Sequence, residues 1–282
     1  APQGSDQAFQ AGAAALEAGD WNGAADAFRT AATLDPNFEV AHYFLGLSLY
    51  HLQDWAGAEA ALQRAISLKE GRAGSRLALA NALLAEGKWQ QAAAQVNQEL
   101  ALQSPATRAE ALYVLGLAYV AGNDNWSAMR EFSAALDEDP NFIDACFAQG
   151  KLRYSEGEYQ QALQKFLKCR ELIEAWKEDL RSALAKLVEG HRKSDVTEEK
   201  VQQKYHFVDR FVNERGGWPD VNKALGDTSQ ELGQYEDGRN YYRDALKRSQ
   251  NGNPNDTDAL TRIGKAYVNQ AMAFVAEGFI FK

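Results

Sequence analysis

Trp21, Trp55 and Trp89 stand 34 residues apart, and each opens the same local pattern. In Asp20-Trp21-Asn-Gly-Ala24-Ala-Asp-Ala-Phe28, an aromatic is followed three residues later by Ala and seven later by a larger apolar residue. Asp54-Trp55 with Ala58 and Leu62, and Lys88-Trp89 with Ala92 and Val96, repeat it. Ala128 with Phe132, and Tyr159 with Ala162 and Phe166, continue the series after a two-residue insertion near Ser104-Pro105. A period of this length means stacked supersecondary units, none able to bury its apolar faces alone. That overrides a reading as one compact core, which 282 residues at 45% hydrophobic content would otherwise leave open.

The stretch from Ala109 to Pro140 shows one unit in full. Leu112, Leu115, Gly116 and Tyr119 step along one helix face, and Gly122-Asn123 interrupts it. Trp126, Met129, Phe132 and Leu136 form a second apolar stripe, which Asp139-Pro140 ends because proline cannot continue a helix. The unit reads as a helical hairpin.

These residues resemble the tetratricopeptide repeat family, whose unit is two antiparallel helices in 34 residues. The resemblance rests on first-helix glycines Gly12, Gly46, Gly116 and Gly150 and on second-helix alanines Ala24, Ala58, Ala92, Ala128 and Ala162. Phe28, Phe132 and Phe166 match it, as do closing alanines Ala31, Ala65 and Ala135 and the prolines Pro36 and Pro140. Asp-Pro-Asn-Phe occurs twice, at 35–38 and 139–142. Ala80 replaces a glycine, Glu99 and Cys169 replace closing alanines, and Glu70 and Glu174 stand where proline would end a unit. The resemblance implies an all-α, right-handed superhelical α-solenoid of about seven antiparallel helical hairpins.

Residues 1–4 read as an extension, followed by five units at 5–38, 39–72, 73–108, 109–142 and 143–176. From Trp176 the pattern lapses, although Trp176, Leu180, Leu184 and Leu187 keep a helical step, as do Val201, Tyr205, Val208 and Val212. A turn at 190–195 makes 177–218 a longer, divergent hairpin. The pattern returns in a related unit over 219–256, with Leu225-Gly226, Tyr235, Gly238, Tyr242 and Ala245. A terminal helix and apolar tail fill 257–282.

Composition narrows the function. The net charge is −9, and the excess lies in residues 1–176, with 13 Lys and Arg against 22 Asp and Glu. Residues 177–282 carry 17 of each. Neither part offers the clustered cations that a nucleic-acid surface needs, so no nucleic acid is expected. No apolar run reaches the roughly 18 residues that would span a bilayer. The start Ala1-Pro2-Gln3-Gly4-Ser5 lacks methionine, as a mature end left by signal-peptide cleavage or a trimmed chain would; export is the expectation. Cys146 and Cys169 read either as small buried apolar residues or as a disulfide in an oxidising compartment.

No phosphate loop, dinucleotide fingerprint, His-Glu-x-x-His, Cys-x-x-Cys or Gly-x-Ser-x-Gly occurs. His42, His51, His191 and His206 are dispersed. The expectation is therefore a protein without catalytic residues, cofactor or metal.

What remains is a surface. The resemblance places first helices on the concave side of the array, where residues at equal places form rows. One row reads Phe9, Tyr43, Leu77, Tyr113, Phe147; another, two turns along, reads Leu16, Tyr50, Leu84, Val120, Tyr154. Such rows serve either to pack neighbouring first helices or to form an aromatic groove for a partner helix or peptide. The candidate partner-binding residues are Phe9, Tyr43, Tyr50, Leu77, Asn81, Tyr113, Leu117, Phe147, Lys151 and Tyr154. Of these, Asn81 and Lys151 alone are of the types that relatives use to grip a peptide's terminal carboxylate, and the first row has no cation; a carboxylate clamp is not expected. The second expectation is end-to-end homo-oligomers or filaments through Phe274, Val275, Phe279, Ile280 and Phe281; the alternative for this tail is to fold back on the last hairpin.

Overall fold

The computed structural model describes residues 3–191, 218–248 and 257–276. The chain divides into two compact units, Ala1–Phe142 and Ile143–Lys282. Thirteen α-helices and no strands occur among the described residues.

The first unit holds α1 (Gln3–Glu17), α2 (Trp21–Leu34), α3 (Glu39–His51), α4 (Trp55–Leu68), α5 (Ser75–Ala85), α6 (Trp89–Ala101), α7 (Pro105–Ala121) and α8 (Asn125–Glu138). Each helix packs on the next in sequence up to α8, so the unit is four stacked hairpins. Local chemistry starts the second helices. The Asp20, Asp54 and Asp124 carboxylates accept hydrogen bonds from the Gly23, Gly57 and Ser127 amides at 2.9, 3.0 and 3.1 Å. Such capping satisfies amides that a helix start leaves without partners.

The core lies where the two helices of a hairpin meet. Phe28, Leu62, Phe132, Ala24, Ala58, Ala92 and Ala128 are fully buried. A Cβ on Gly12 would lie 2.7 Å from the Phe28 ring, and one on Gly46 2.5 Å from Leu62. Glycine on one helix therefore makes room for a large side chain on the other, as the spacing predicts.

Both Asp-Pro-Asn-Phe segments adopt the same turn. The Asn37 and Asn141 amides donate to Asp35 Oδ1 and Asp139 Oδ1 at 3.0 Å. The turn returns Phe38 and Phe142 to the preceding hairpin, with ring centroids 5.2 Å from Phe9 and from Tyr113.

Trp126 departs from the sequence-based reading. The other second helices carry their aromatic directly after the capping residue, whereas in Asp124-Asn125-Trp126 it comes one residue later. One residue is about 100° around a helix, and Trp126 is 74% exposed instead of packed in the stripe. The Arg130 guanidinium lies 5.5 Å from its ring centroid.

The second unit holds α9 (Ile143–Ser155), α10 (Tyr159–His191), α11 (Trp218–Glu231), α12 (Tyr235–Arg248) and α13 (Thr257–Ala276). Phe166 over Gly150 and Tyr242 over Gly226 repeat the glycine–ring fit. Here α10 runs unbroken for 33 residues, so residues 177–191 extend the fifth unit's second helix and do not start a new one. The reason is local: no glycine or proline occurs between Glu158 and Glu189. The expected helix over 201–212 lies outside the described residues.

Candidate partner-binding surfaces

In the first unit, first-helix residues divide between packing and solvent. Phe9 on α1 is half-buried in a ring cluster, with centroids 5.3 Å from Phe28 and 5.8 Å from Phe44. Leu77 on α5 corrects the expectation: at 2% exposure it belongs to the core and is closed to a partner. α5 packs against α3, α4, α6 and α7, and eight of its 11 residues are buried, against five of 13 in α3 and six of 17 in α7. Tyr43 and Tyr50 on α3, Asn81 on α5, and Tyr113 and Leu117 on α7 are half-buried, while Val120 is exposed.

Charged groups frame Tyr43. The Arg72 guanidinium sits 4.8 Å from its ring centroid and pairs with Glu39 at 3.0 Å. Burial raises the Tyr43 hydroxyl pKa above its usual value; Arg72 opposes this, and Glu110, Glu99 and Glu39 reinforce it. Tyr113 packs against Phe132 as well as Phe142. This strip is therefore aromatic, partly open and edged by carboxylates.

The second unit contains a cleft of about 400 Å³ lined by Phe147, Lys151 and Tyr154 of α9, Phe166 of α10, residues of α11, and Asp258 and Arg262 of α13. Asp220, Lys223, Ala224 and Asp227 are the α11 contributors. Tyr242 donates to Asp227 Oδ1 at 2.8 Å, and Arg262 pairs with Asp227. Arg262 Nε also donates to Asp258 Oδ1 at 3.0 Å, while Lys223 Nζ lies 3.2 Å from Asp258 Oδ2. The network neutralises both carboxylates in place.

Burial, with Asp227 and Glu231 adding to it, pushes the Tyr154 hydroxyl up to about 12. Burial also disfavours ionised Asp258, yet the hydrogen bonds from Arg262 and Lys223 outweigh it and hold that pKa low. Lys151 is exposed, its ammonium 5.8 Å from the Phe147 ring centroid.

Thus Phe147, Lys151 and Tyr154 converge on one cleft, together with charged residues the sequence reading missed. The missed signal was positional. Phe147 and Lys151 stand three before and one after Gly150, and Lys223 and Asp227 stand likewise about Gly226. Extending the rows by one unit finds both.

Phe279, Ile280 and Phe281 lie outside the described residues, as do the side chains of Phe274 and Val275. On α13, Tyr267, Val268 and Met272 are exposed. Gly264 differs from Gly150 and Gly226, because a Cβ there would meet nothing within 4 Å. No group of three or more metal-ligating side chains occurs among the described residues, and none of their helices is long and apolar enough to cross a membrane.

A family model described as tetratricopeptide repeat matches residues 9–74, 77–143 and 223–271. Among solved structures, PilW, a widely conserved type IV pilus biogenesis factor, superposes with a TM-score of 0.68 at 16% identity, covering 93% of this chain and 99% of its own. PilF of Pseudomonas aeruginosa gives 0.60 at 15% identity, covering 94% and 97%. MamA from Desulfovibrio magneticus RS-1 gives 0.54 at 20% identity, covering 61% and 97%. At these identities the likeness is one of fold. No curated protein sequence matches the chain.

Proposed function

The chain belongs to the tetratricopeptide repeat family, and from that premise we propose a non-enzymatic scaffold that holds a partner helix or peptide on its first-helix faces. The family supports a protein-interaction scaffold in general; the choice of surface is ours. The carrying observation is that Tyr43, Tyr50, Asn81, Tyr113, Leu117 and Val120 keep solvent access although the hairpins behind them are fully packed. Tyrosines of this kind offer large contact area at low entropic cost and are enriched where binding energy concentrates.

The test is peptide selection from a random display library against the full chain. Affinity of the selected peptide is then measured by fluorescence anisotropy. A Tyr43→Ala/Tyr113→Ala double variant that keeps its helical circular dichroism should bind about tenfold or more weakly. Unchanged affinity overturns the choice of surface.

A second reading, assembly through the C-terminal end, is favoured by the exposed Val268 and Met272 and the open space at Gly264. Light scattering of the full chain and of a variant with Val268→Ser and Met272→Ser decides it. A monodisperse monomer in both cases sinks the idea.

A further inference from the structure

Cys146 and Cys169 are free thiols, 2% and 0% exposed. Cys146 lies on α9, four residues before Gly150, and Cys169 on α10, three after Phe166. The glycine–ring fit between Gly150 and Phe166 clamps the two helices together at this level. Cys146 Sγ donates to the Lys165 carbonyl oxygen at 3.5 Å. In an α-helix that carbonyl accepts from the amide four residues on, which is Cys169 itself. Cys146 Sγ therefore reaches the backbone of the helical turn that ends at Cys169. Cys169 occupies the place that alanine holds in Ala31, Ala65 and Ala135, so packing alone does not call for sulfur there.

We propose that Cys146 and Cys169 are a disulfide-forming pair that crosslinks α9 to α10 by exchange with a small-molecule or protein disulfide. Cys146, the less deeply buried of the two, is the first nucleophile. The neighbouring Cys169 thiol holds its pKa below the usual value against the opposing effect of burial, and Lys165 and Lys168 help. The Cys146 thiolate attacks one sulfur of the donor, forming a mixed disulfide and releasing one donor thiol. Deprotonated Cys169 then attacks the Cys146 sulfur and expels the second donor thiol. The protein loses two hydrogens and two electrons, and the donor gains both.

The crosslink sits behind the cleft of the second unit. Cys146 immediately precedes Phe147, and both Phe147 and Phe166 line that cleft. Oxidation thus fixes the two helices that carry its aromatic side.

The full chain is incubated with glutathione disulfide at neutral pH, quenched with an alkylating reagent in denaturant, and weighed by mass spectrometry. The expected product is monomeric, takes up no alkyl group, and yields one peptide pair joining Cys146 to Cys169. Its thermal midpoint rises by about 6 °C or more relative to the reduced chain. Cys169→Ala, which installs the residue other units carry, abolishes the crosslink and the rise. Two alkylatable thiols after prolonged incubation, only glutathione adducts, or only intermolecular links overturn the proposal. A crosslinked chain with a lowered midpoint also overturns it, since the pair would then not be positioned in the fold.

Discussion

The Gly74 amide donates a 2.6 Å hydrogen bond to Glu99 Oε1, and the Thr107 hydroxyl donates to the same oxygen at 3.1 Å. Glu99 is buried, in a place where three other units carry alanine. One carboxylate thereby ties the start of α5 to the first turn of α7 across the irregular third unit. The unit before it ends at Glu70 where a proline would stand, and the third carries the insertion near Ser104-Pro105. Gly74 has a φ of 86°, which a side chain would strain.

Glu99→Ala should therefore destabilise the first unit by about 1–3 kcal/mol, because two half-buried donors lose their acceptor. Urea denaturation followed by circular dichroism measures it. An unchanged or higher midpoint would show that the closing alanine suits this unit as well as its neighbours. Glu99→Gln, which keeps an acceptor oxygen, should lie between the two.

Gly150 and Gly264 hold the same place in their helices but should respond oppositely to alanine. A Cβ on Gly150 would lie 2.5 Å from the Phe166 ring, whereas one on Gly264 meets nothing within 4 Å. Gly150→Ala should cost about 1–3 kcal/mol through overpacking. Gly264→Ala should be neutral or gain up to about 1 kcal/mol from helix propensity. Paired thermal melts compare them, and equal losses would contradict the open face on α13.

Trp126 and Trp89 make a second contrasting pair. Trp126→Ala should alter stability by no more than about 0.5 kcal/mol. The Trp89 ring lies 3.0 Å from where a Gly122 Cβ would be, and Trp89→Ala should cost about 2 kcal/mol or more. Acrylamide quenching provides a separate check. Removing Trp126 should take away much of the readily quenched fluorescence.

Alkaline titration should weaken the second unit. An unfolded tyrosine ionises near its ordinary value of 10.0, whereas folded Tyr154 holds its proton to about 12. Tyr242 is raised as well, by burial and by Asp227, which accepts its hydrogen bond. The folded state binds these protons more tightly, so the contribution is full below pH 10 and is lost as pH rises through the folded value of about 12. Tyr154→Phe should flatten the decline across that window. Tyrosinate absorbance and circular dichroism, recorded together, measure ionisation and unfolding on one sample.

Much of the fold was legible because its causes are local and periodic. Gly46 with Leu62 and Gly150 with Phe166 are 16 residues apart in each case, and a hairpin of constant length places them face to face. The aspartate caps act within three residues. The exceptions mark where a local pattern underdetermines its surroundings. Leu77 matches Tyr43 in sequence phase, but its burial depends on the helices stacked around α5. Trp126 keeps an apolar identity while a one-residue shift turns it to solvent. The cleft network joins Asp227 to Tyr242 and Arg262 across three helices, and no spacing rule contains those contacts.

By itself the sequence determined the repeat, the helix phases, the small-residue seams and the aspartate starts, since steric fit and capping operate within one hairpin length. Only the tertiary structure decided which row residues stay open, that Glu99 replaces a packing alanine with a tether, and that Cys146 bonds to the Lys165 carbonyl one helical turn before Cys169. Those outcomes depend on burial and on charges brought together from separate helices. Both are properties of the packed array, and no single unit carries them.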